Sequence, residues 1–455
     1  MSRPPGLLVV APSAYPLGGL ATWLDGLLPG LAGLGWSVRL ALPRGRTFDV
    51  QAYLHRHPWT PAVLLENPAG TAYGRRGAVS RLLREAPEGI VLVVNQPEVY
   101  AAALTERAAG ALTERAAGRD VPRIVGSLHG LLPRLVEDFR RFAPAMTAAV
   151  GTNRLACEVL AELAGIERAR IFHAPYGTEI RDPPSFDLLQ DRGPLELVCA
   201  GRLDEEQKRV SDLPRILAAL DSLGVAWRLS IAGSGPAEAS LRAALGADRR
   251  VAFLGELAPE RLRAELFRPG RALLLTSAWE TGPIVAWEAM ERGVVLVTSG
   301  YLGLRAEGAL RDGENCRIFE VGDAQSAAAV LADLATSAGE RKSLALQGRR
   351  LVEERFSAAA SIALWDRALR TAAALDLPAS GGSAVPPIPA AGRLDRWLGV
   401  AGADRARRLL RRPVAVRGPG DEWPHTFSAP GAGADFEVRL RNLERSLADP
   451  GEAAE

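Results

Sequence analysis

Cysteine and histidine are scarce in this chain, with three and five copies in 455 residues. Cys157, Cys199 and Cys316 lie far apart, with no CxxC or Cys/His spacing between them. That excludes a disulfide framework and a structural zinc site, and fits a reducing compartment. No stretch approaches about 18 uninterrupted apolar residues, so no membrane span is expected. The first apolar run ends at Pro12, too short for a secretion signal, and a cytoplasmic location follows as the expectation. An excess of either charge is missing too: 55 Lys plus Arg face 53 Asp plus Glu, a net charge of +2. Such balance gives no case for nucleic acid as a partner. Asp-x-Asp occurs nowhere, which leaves a carboxylate-held divalent cation without obvious ligands.

What is present is an alternation of short β-branched runs with helical stretches from residue 7 to about 375, the signature of an α/β protein with parallel sheets. The spacing predicts strands over 7–12, 37–43, 62–66, 90–96, 123–129 and 148–153. It predicts a second set over 195–203, 227–233, 251–255, 271–277 and 294–299. A Pro-containing loop at 181–194 divides the two sets. Two doubly wound, Rossmann-like domains facing across a cleft are therefore expected, over residues 1–185 and 186–375. A helix over 357–375 closes the second set and returns towards the first domain. Residues 376–455 read as a flexible linker and a mostly irregular basic tail, with one short helix over 435–447. The octapeptide at 103–110 recurs identically at 111–118, a local duplication that matches no solenoid period.

Chemistry concentrates in loops that follow strands. Ser277-Ala-Trp-Glu-Thr-Gly-Pro-Ile-Val-Ala-Trp-Glu288 leaves a buried strand and opens a helix at Pro283. Glu280 then sits at the carboxyl edge of the sheet and Glu288 inside the helix, while the free amides around Thr281, Gly282 and Pro283 offer an anion site. Glutamates eight apart carry little weight alone. A second loop, Gly201-Arg-Leu-Asp-Glu-Glu-Gln-Lys-Arg-Val210, brings Arg202, Lys208 and Arg209 to the same edge. A guanidinium fork beside a mobile ammonium suits a diphosphate, although a salt-bridge cluster with Asp204–Glu206 is the plain alternative. In Ala232-Gly-Ser-Gly-Pro236 the sixth position of a dinucleotide fingerprint is Glu238, so Gly233 and Gly235 do not mark a nicotinamide site. Gly18 and Gly19 lie between the first strand and helix, where they either admit a ligand or form an ordinary turn. His129 ends a strand at the cleft rim, and His173 lies at the rim or in the core.

In this order, these stretches resemble the glycosyltransferase family 4 group of retaining enzymes with the GT-B fold, over residues 7–375. The matches are Gly18-Gly19, Gly201-Arg-Leu with its downstream Lys, Gly233-Ser-Gly235, and Glu280 with Glu288. The resemblance implies a nucleotide-sugar donor, UDP-, GDP- or another, and a saccharide or lipid-linked acceptor, without a cofactor or metal. It places Glu280 on the donor sugar and His129 facing it as the catalytic pair, Arg202 and Lys208 on the diphosphate, Gly18 and Gly19 near phosphates or acceptor, Glu288 on the ribose, and Gly233, Gly235, Thr281, Gly282 and Pro283 around nucleotide and sugar. Two departures are visible: the Lys follows Arg202 by six residues instead of five and precedes Arg209, and Thr281-Gly-Pro283 replaces Gly-Phe-Gly. Either Lys208 or Arg209 is then a candidate for the phosphate. A nucleotide-sugar epimerase and a catalytically silent sugar-binding protein are the rival readings. Outside the resemblance, residues 393–417 carry eight Arg against Asp395 and Asp404, which makes a peripheral contact with an anionic membrane surface one candidate role.

Overall fold

The computed structural model describes residues 6–12, 19–43, 54, 62–85, 89–110, 121–185, 193–378, 385, 387–414, 423–429 and 433–448. Two all-parallel sheets form its frame. The first, in order β3-β2-β1-β4-β5-β6-β7, comprises β1 (Leu7–Val10), β2 (Val38–Pro43), β3 (Ala62–Leu65), β4 (Ile90–Val94), β5 (Arg123–Leu128), β6 (Ala148–Gly151) and β7 (Ile171–His173). Between them run α1 (Gly19–Gly33), α2 (Ala72–Glu85), α3 (Pro97–Ala108), α4 (Pro133–Phe142) and α5 (Arg154–Glu158). Every residue of β1 and β4 is buried, as sheets covered by helices on both faces require.

The second sheet has six strands in the order β10-β9-β8-β11-β12-β13. They are β8 (Leu195–Ala200), β9 (Trp227–Ala232), β10 (Val251–Gly255), β11 (Arg271–Leu275), β12 (Val295–Ser299) and β13 (Arg317–Phe319). Their helices are α6 (Asp212–Ser222), α7 (Glu238–Leu245), α8 (Ile284–Glu291), α9 (Leu304–Glu307), α10 (Ala324–Thr336) and α11 (Ala338–Arg355). Both sheets reverse direction of growth beside their first strand, so the crevices lie between β1 and β4 and between β8 and β11. The expected strands are all present; β2, β10 and β12 keep their expected carboxyl ends and the others stop one to three residues earlier. β13 escapes sequence reading because three residues carry no period.

Helix α12 (Ala358–Ala374) follows the second sheet in the chain but packs into the first domain. Trp365 and Leu369 are fully buried among Trp23, Leu27, Leu28 and Leu31 of that domain. Trp36 Nε1 donates to Asp366 at 2.6 Å, and Ser361 Oγ donates to the Pro175 carbonyl at 2.7 Å. At the crossing itself Thr178 N donates to the Phe356 carbonyl (2.8 Å) and Ala358 N to the Thr178 carbonyl (2.6 Å). The two connections between domains thus lie side by side.

The C-terminal residues correct the expectation of a mostly irregular tail. Two helices are present, α13 (Arg393–Leu409) and α14 (Gly433–Ala448), and both pack on the body of the protein. Trp423 and Leu440 enter the first domain's core, and buried Asp138 of α4 accepts from Phe427 N, Ser428 N and Ser428 Oγ. Glu206 of the acidic stretch pairs with Arg134 of α4. Most of the linker and the second octapeptide copy lie outside the described residues. Among the described residues no helix is long and apolar enough to cross a membrane.

Because Trp365 is enclosed by first-domain side chains, Trp365→Ala is expected to cost about 3–5 kcal/mol. Trp397→Ala, at a position 88% exposed, should stay within about 0.5 kcal/mol of the parent. Urea unfolding followed by near-UV circular dichroism distinguishes the two.

Candidate functional site

Loops of the second domain meet the first along the carboxyl edges of the two sheets. Their centre is Glu280, only 4% exposed. Its Oε1 accepts from Lys208 Nζ at 2.5 Å and Ser277 Oγ at 2.7 Å, and Oε2 accepts from Gln207 Nε2 at 3.0 Å. The loop that carries it is clamped from both sides. Ala278 N donates to the Gln207 carbonyl and Thr276 Oγ1 to the Lys208 carbonyl, while Glu280 N donates to Leu302 O and Leu302 N to Ala278 O. The sequence brings Lys208 and Glu280 together as expected from two strand-end loops.

Asp204 shapes the Lys208 loop. Its carboxylate accepts from the backbone N–H of Gln207 and Lys208, and from Arg202 Nε at 2.6 Å. Burial works against the charge, but the Gln207 amide and the Arg202 guanidinium hold the carboxyl below its usual range. Arg202 itself keeps 62% of its side chain in solvent. The two phosphate candidates part company: Lys208 turns to Glu280, whereas Arg209 adopts a left-handed backbone (φ 49°) and its guanidinium is held by Asp212 at the start of α6.

Gly233 and Gly235 serve backbone packing. A Cβ on Gly233 would strike the Gly201 carbonyl, and one on Gly235 the Leu203 carbonyl. Gly282, at φ 133°, would carry its Cβ into the Tyr176 ring. Pro283 is the residue before α8 and not its first, with φ −76° and ψ 90°. Thr281 is buried beside Tyr176. Across the cleft, Gly19 starts α1 and lies closest to Ile284, the first residue of α8. Two helix N-termini thereby converge, and their free amides favour an anion between them. Gly18 lies outside the described residues.

Glu288 is 5% exposed on α8 and accepts from Arg263 Nη2 at 2.6 Å. Burial raises its carboxyl above the ordinary range and Arg263 opposes the shift. His129 follows β5 with both ring nitrogens engaged: Nδ1 with Tyr176 OH at 2.5 Å and Nε2 with Ser127 Oγ at 2.7 Å. Trp23 leans on it with ring centroids 4.8 Å apart. Enclosure by these rings pushes the imidazole down to about 3, so it is neutral in ordinary buffers. His173 sits at the rim, its Nε2 3.4 Å from Glu307 of α9.

Sequence reading missed the residues that fasten the site from afar. Asn153, at the start of α5, receives the Ala156 N–H on Oδ1 and donates Nδ2 to the Glu280 carbonyl at 3.1 Å. Glu307 Oε2 accepts from Arg154 N. Glu444 of α14 accepts from Gly303 N at 2.8 Å and Arg305 N at 3.0 Å, one residue beyond the Leu302 that clamps Glu280. Only Lys208 had an unused signal: it is one of two lysines, with Lys342, in a chain whose other cations are arginine.

The family model for glycosyl transferases group 1 matches residues 194–337, which contain Arg202, Lys208, Glu280 and Glu288. No curated protein sequence matches the chain. Solved structures do. The apo lipopolysaccharide outer core galactosyltransferase WaaB is 19% identical with a TM-score of 0.57, over 80% of this chain and 98% of its own. HepE of Anabaena, in complex with UDP and glucose, is 17% identical with a TM-score of 0.62, over 79% and 97%. Sucrose-phosphate synthase of Thermosynechococcus elongatus is 15% identical with a TM-score of 0.62, over 80% and 98%. At these identities the likeness establishes the fold, the GT-B arrangement of two Rossmann-like domains.

The depressed His129 value has a testable sign. The unfolded chain takes up the proton first, near the usual value of about 6.5, and the folded chain only near 3. This contribution to stability is complete above the unfolded value and is lost as pH falls towards the folded one. The His129 ring resonances should therefore not titrate between about pH 5 and 8 in a ¹H–¹⁵N experiment. A midpoint near 6.5 would show an open, solvated ring.

Proposed function

We propose that this chain is a glycosyltransferase that moves a sugar from a nucleotide-sugar donor to a saccharide or lipid-linked acceptor, with retention of configuration. The observation that carries the reading is the Lys208–Glu280 pair, set where two helix N-termini meet in the cleft of a GT-B fold. The match to glycosyl transferases group 1 over residues 194–337 supports it.

Breaking a glycosidic bond to a nucleoside diphosphate needs the growing charge on the leaving phosphate to be met as it appears. Lys208 Nζ, exposed Arg202 and the amides at Gly19 and Gly282–Ile284 are the groups available. Lys208 is held by Glu280, so a diphosphate would draw the ammonium part-way towards itself while Glu280 turns a free lone pair to a sugar hydroxyl. Glu288 would accept the ribose hydroxyls in exchange for part of its contact with Arg263. Neutral His129, released from one of its two partners, has a donor or acceptor for the sugar but no positive charge. Glu280 is not assigned as a nucleophile. Retention would come from attack on the face the phosphate leaves, with a phosphate oxygen taking the acceptor's proton.

The proposed steps assign no charge to a metal, since the sequence has no Asp-x-Asp. Arg202, Lys208 and the helix amides would carry the neutralisation instead.

Donor turnover across UDP- and GDP-sugars, with and without saccharide acceptors, is the test. Lys208→Ala and Arg202→Ala should each cost about 2–4 kcal/mol in kcat/KM, with Arg209→Ala below about 1 kcal/mol. A silent Lys208→Ala beside a damaging Arg209→Ala would move the phosphate role to Arg209. Glu280→Gln should lower kcat more than nucleotide affinity, and Glu288→Gln the reverse, read by calorimetry with free nucleoside diphosphate. Epimerised donor without transfer, or binding without turnover, would replace the transferase reading by one of its rivals.

Activity should also survive dialysis against EDTA. Loss to background that Mg²⁺ or Mn²⁺ restores would overturn the metal-independent mechanism.

A further inference from the structure

Helix α13 is turned inside out relative to an ordinary surface helix. Its two carboxylates point inward: Asp395 is buried against Arg407, and Asp404 is buried between Thr71 and Arg408. The apolar side chains point outward instead. Trp397 is 88% exposed, Leu409 84%, Leu410 64% and Leu398 52%. With Leu394 they make up five of the ten large apolar side chains exposed among the described residues. Arg393, Arg396, Arg405, Arg408, Arg411 and Arg412 are exposed around them.

The apolar residues form one surface because the helix folds back. Gly399, at φ 66° and ψ 163°, breaks it into two legs. Asp395 and Arg407 are twelve apart, which a straight helix would separate by about 18 Å, yet they form a bidentate pair. Residues 394–398 and 407–410 are therefore neighbours on a hairpin. That hairpin is fixed to the protein: Ala403 is fully buried, Asp404 bonds Thr71, and Val414 N donates to the Ala69 carbonyl at 2.9 Å. Residues 67–71 follow β3, so the hairpin is attached at the carboxyl edge of the first sheet, the edge that also carries Gly19 and His129.

We propose that this hairpin is a docking surface for an anionic lipid bilayer, which it meets at the first domain's side of the cleft. Indole and leucine side chains ringed by arginine match the headgroup boundary, where apolar groups enter the acyl region and cations stay with lipid phosphates. A nucleic acid would satisfy the arginines but leave Leu398, Leu409 and Leu410 in water. A second copy would set six arginines against six. The proposal rests on the chemistry of this surface alone and holds or fails apart from the sugar-transfer reading.

The test is flotation of the full chain with vesicles of phosphatidylcholine alone and of phosphatidylcholine with phosphatidylglycerol. Binding is expected to the anionic vesicles only, weakening as salt rises. Arg393→Gln and Arg411→Gln should each reduce partitioning about fivefold. The combined Trp397→Ser, Leu409→Ser, Leu410→Ser variant should abolish it, while Leu223→Ser and Val438→Ser, exposed elsewhere, should not. These positions lie in solvent, and unchanged melting curves will confirm that the variants fold. Equal binding to both vesicle types, no binding, or binding that survives the triple variant would overturn the proposal. So would a preference for RNA over vesicles, or self-association that the triple variant removes.

Discussion

A carboxylate taken out of water must be met by a cation or by several donors, and at Glu280 the protein supplies both. Lys208, Ser277 and Gln207 surround the two oxygens, and each belongs to a loop that the sheet itself delivers to this point. Removing one partner from such a buried pair leaves a charge uncompensated, a loss several times larger than the pair's net contribution. The loops after β8 and β11 are therefore fixed relative to one another by the demand of one side chain. Backbone bonds of Glu280 extend the constraint, its N–H to Leu302 and its carbonyl to Asn153 of the other domain. These bonds make the site ordered in itself.

The frame was legible because parallel strands buried on both faces leave runs such as Ile90–Val94 with no polar interruption. The strand-end loops were legible for a related reason: Glu280, Arg202 and Lys208 follow such runs directly, and doubly wound sheets present those ends to a cleft. Legibility fails where a contact is long in sequence. Asn153 and Glu444 look like ordinary surface residues until the fold brings them within 3.1 Å of residues 280 and 303. That Lys208 turns to Glu280 while Arg209, at a positive φ, turns to Asp212 is likewise nothing that spacing encodes. The C-terminal stretch misled through composition. Its glycines and arginines read as irregular chain, whereas Gly399 makes the turn of a hairpin and two aspartates secure it from within.

Charge is distributed on a principle that the whole-chain total of +2 conceals. Among the described residues most ion pairs are local arginine–carboxylate contacts on the surface, worth about 0–1 kcal/mol each. A few buried pairs, Arg263 with Glu288, Arg349 with Glu291 and Lys208 with Glu280, line the second domain on the side of α8. The excess of arginine is left to the outer face of α13.

The adjoining crossings at Thr178 and Ser357 leave the two domains, taken alone, free to rotate about one line like leaves on a common pin. Helix α14 adds a fastening at a different place, since Leu440 is sunk in the first domain while Glu444 grips Gly303 and Arg305 of the second. Asn153 on the Glu280 carbonyl, Arg154 N on Glu307 and Arg134 with Glu206 add ties off that line, so no rotation is left that keeps every tie intact. Opening of the cleft must then break these bonds, the Glu444 oxygen leaving its two amides among them, or pull residues 302–305 along with the first domain. In the second case the movement reaches Glu280 directly through Leu302, so the gape of the cleft and the grip on its central carboxylate become one mechanical coordinate.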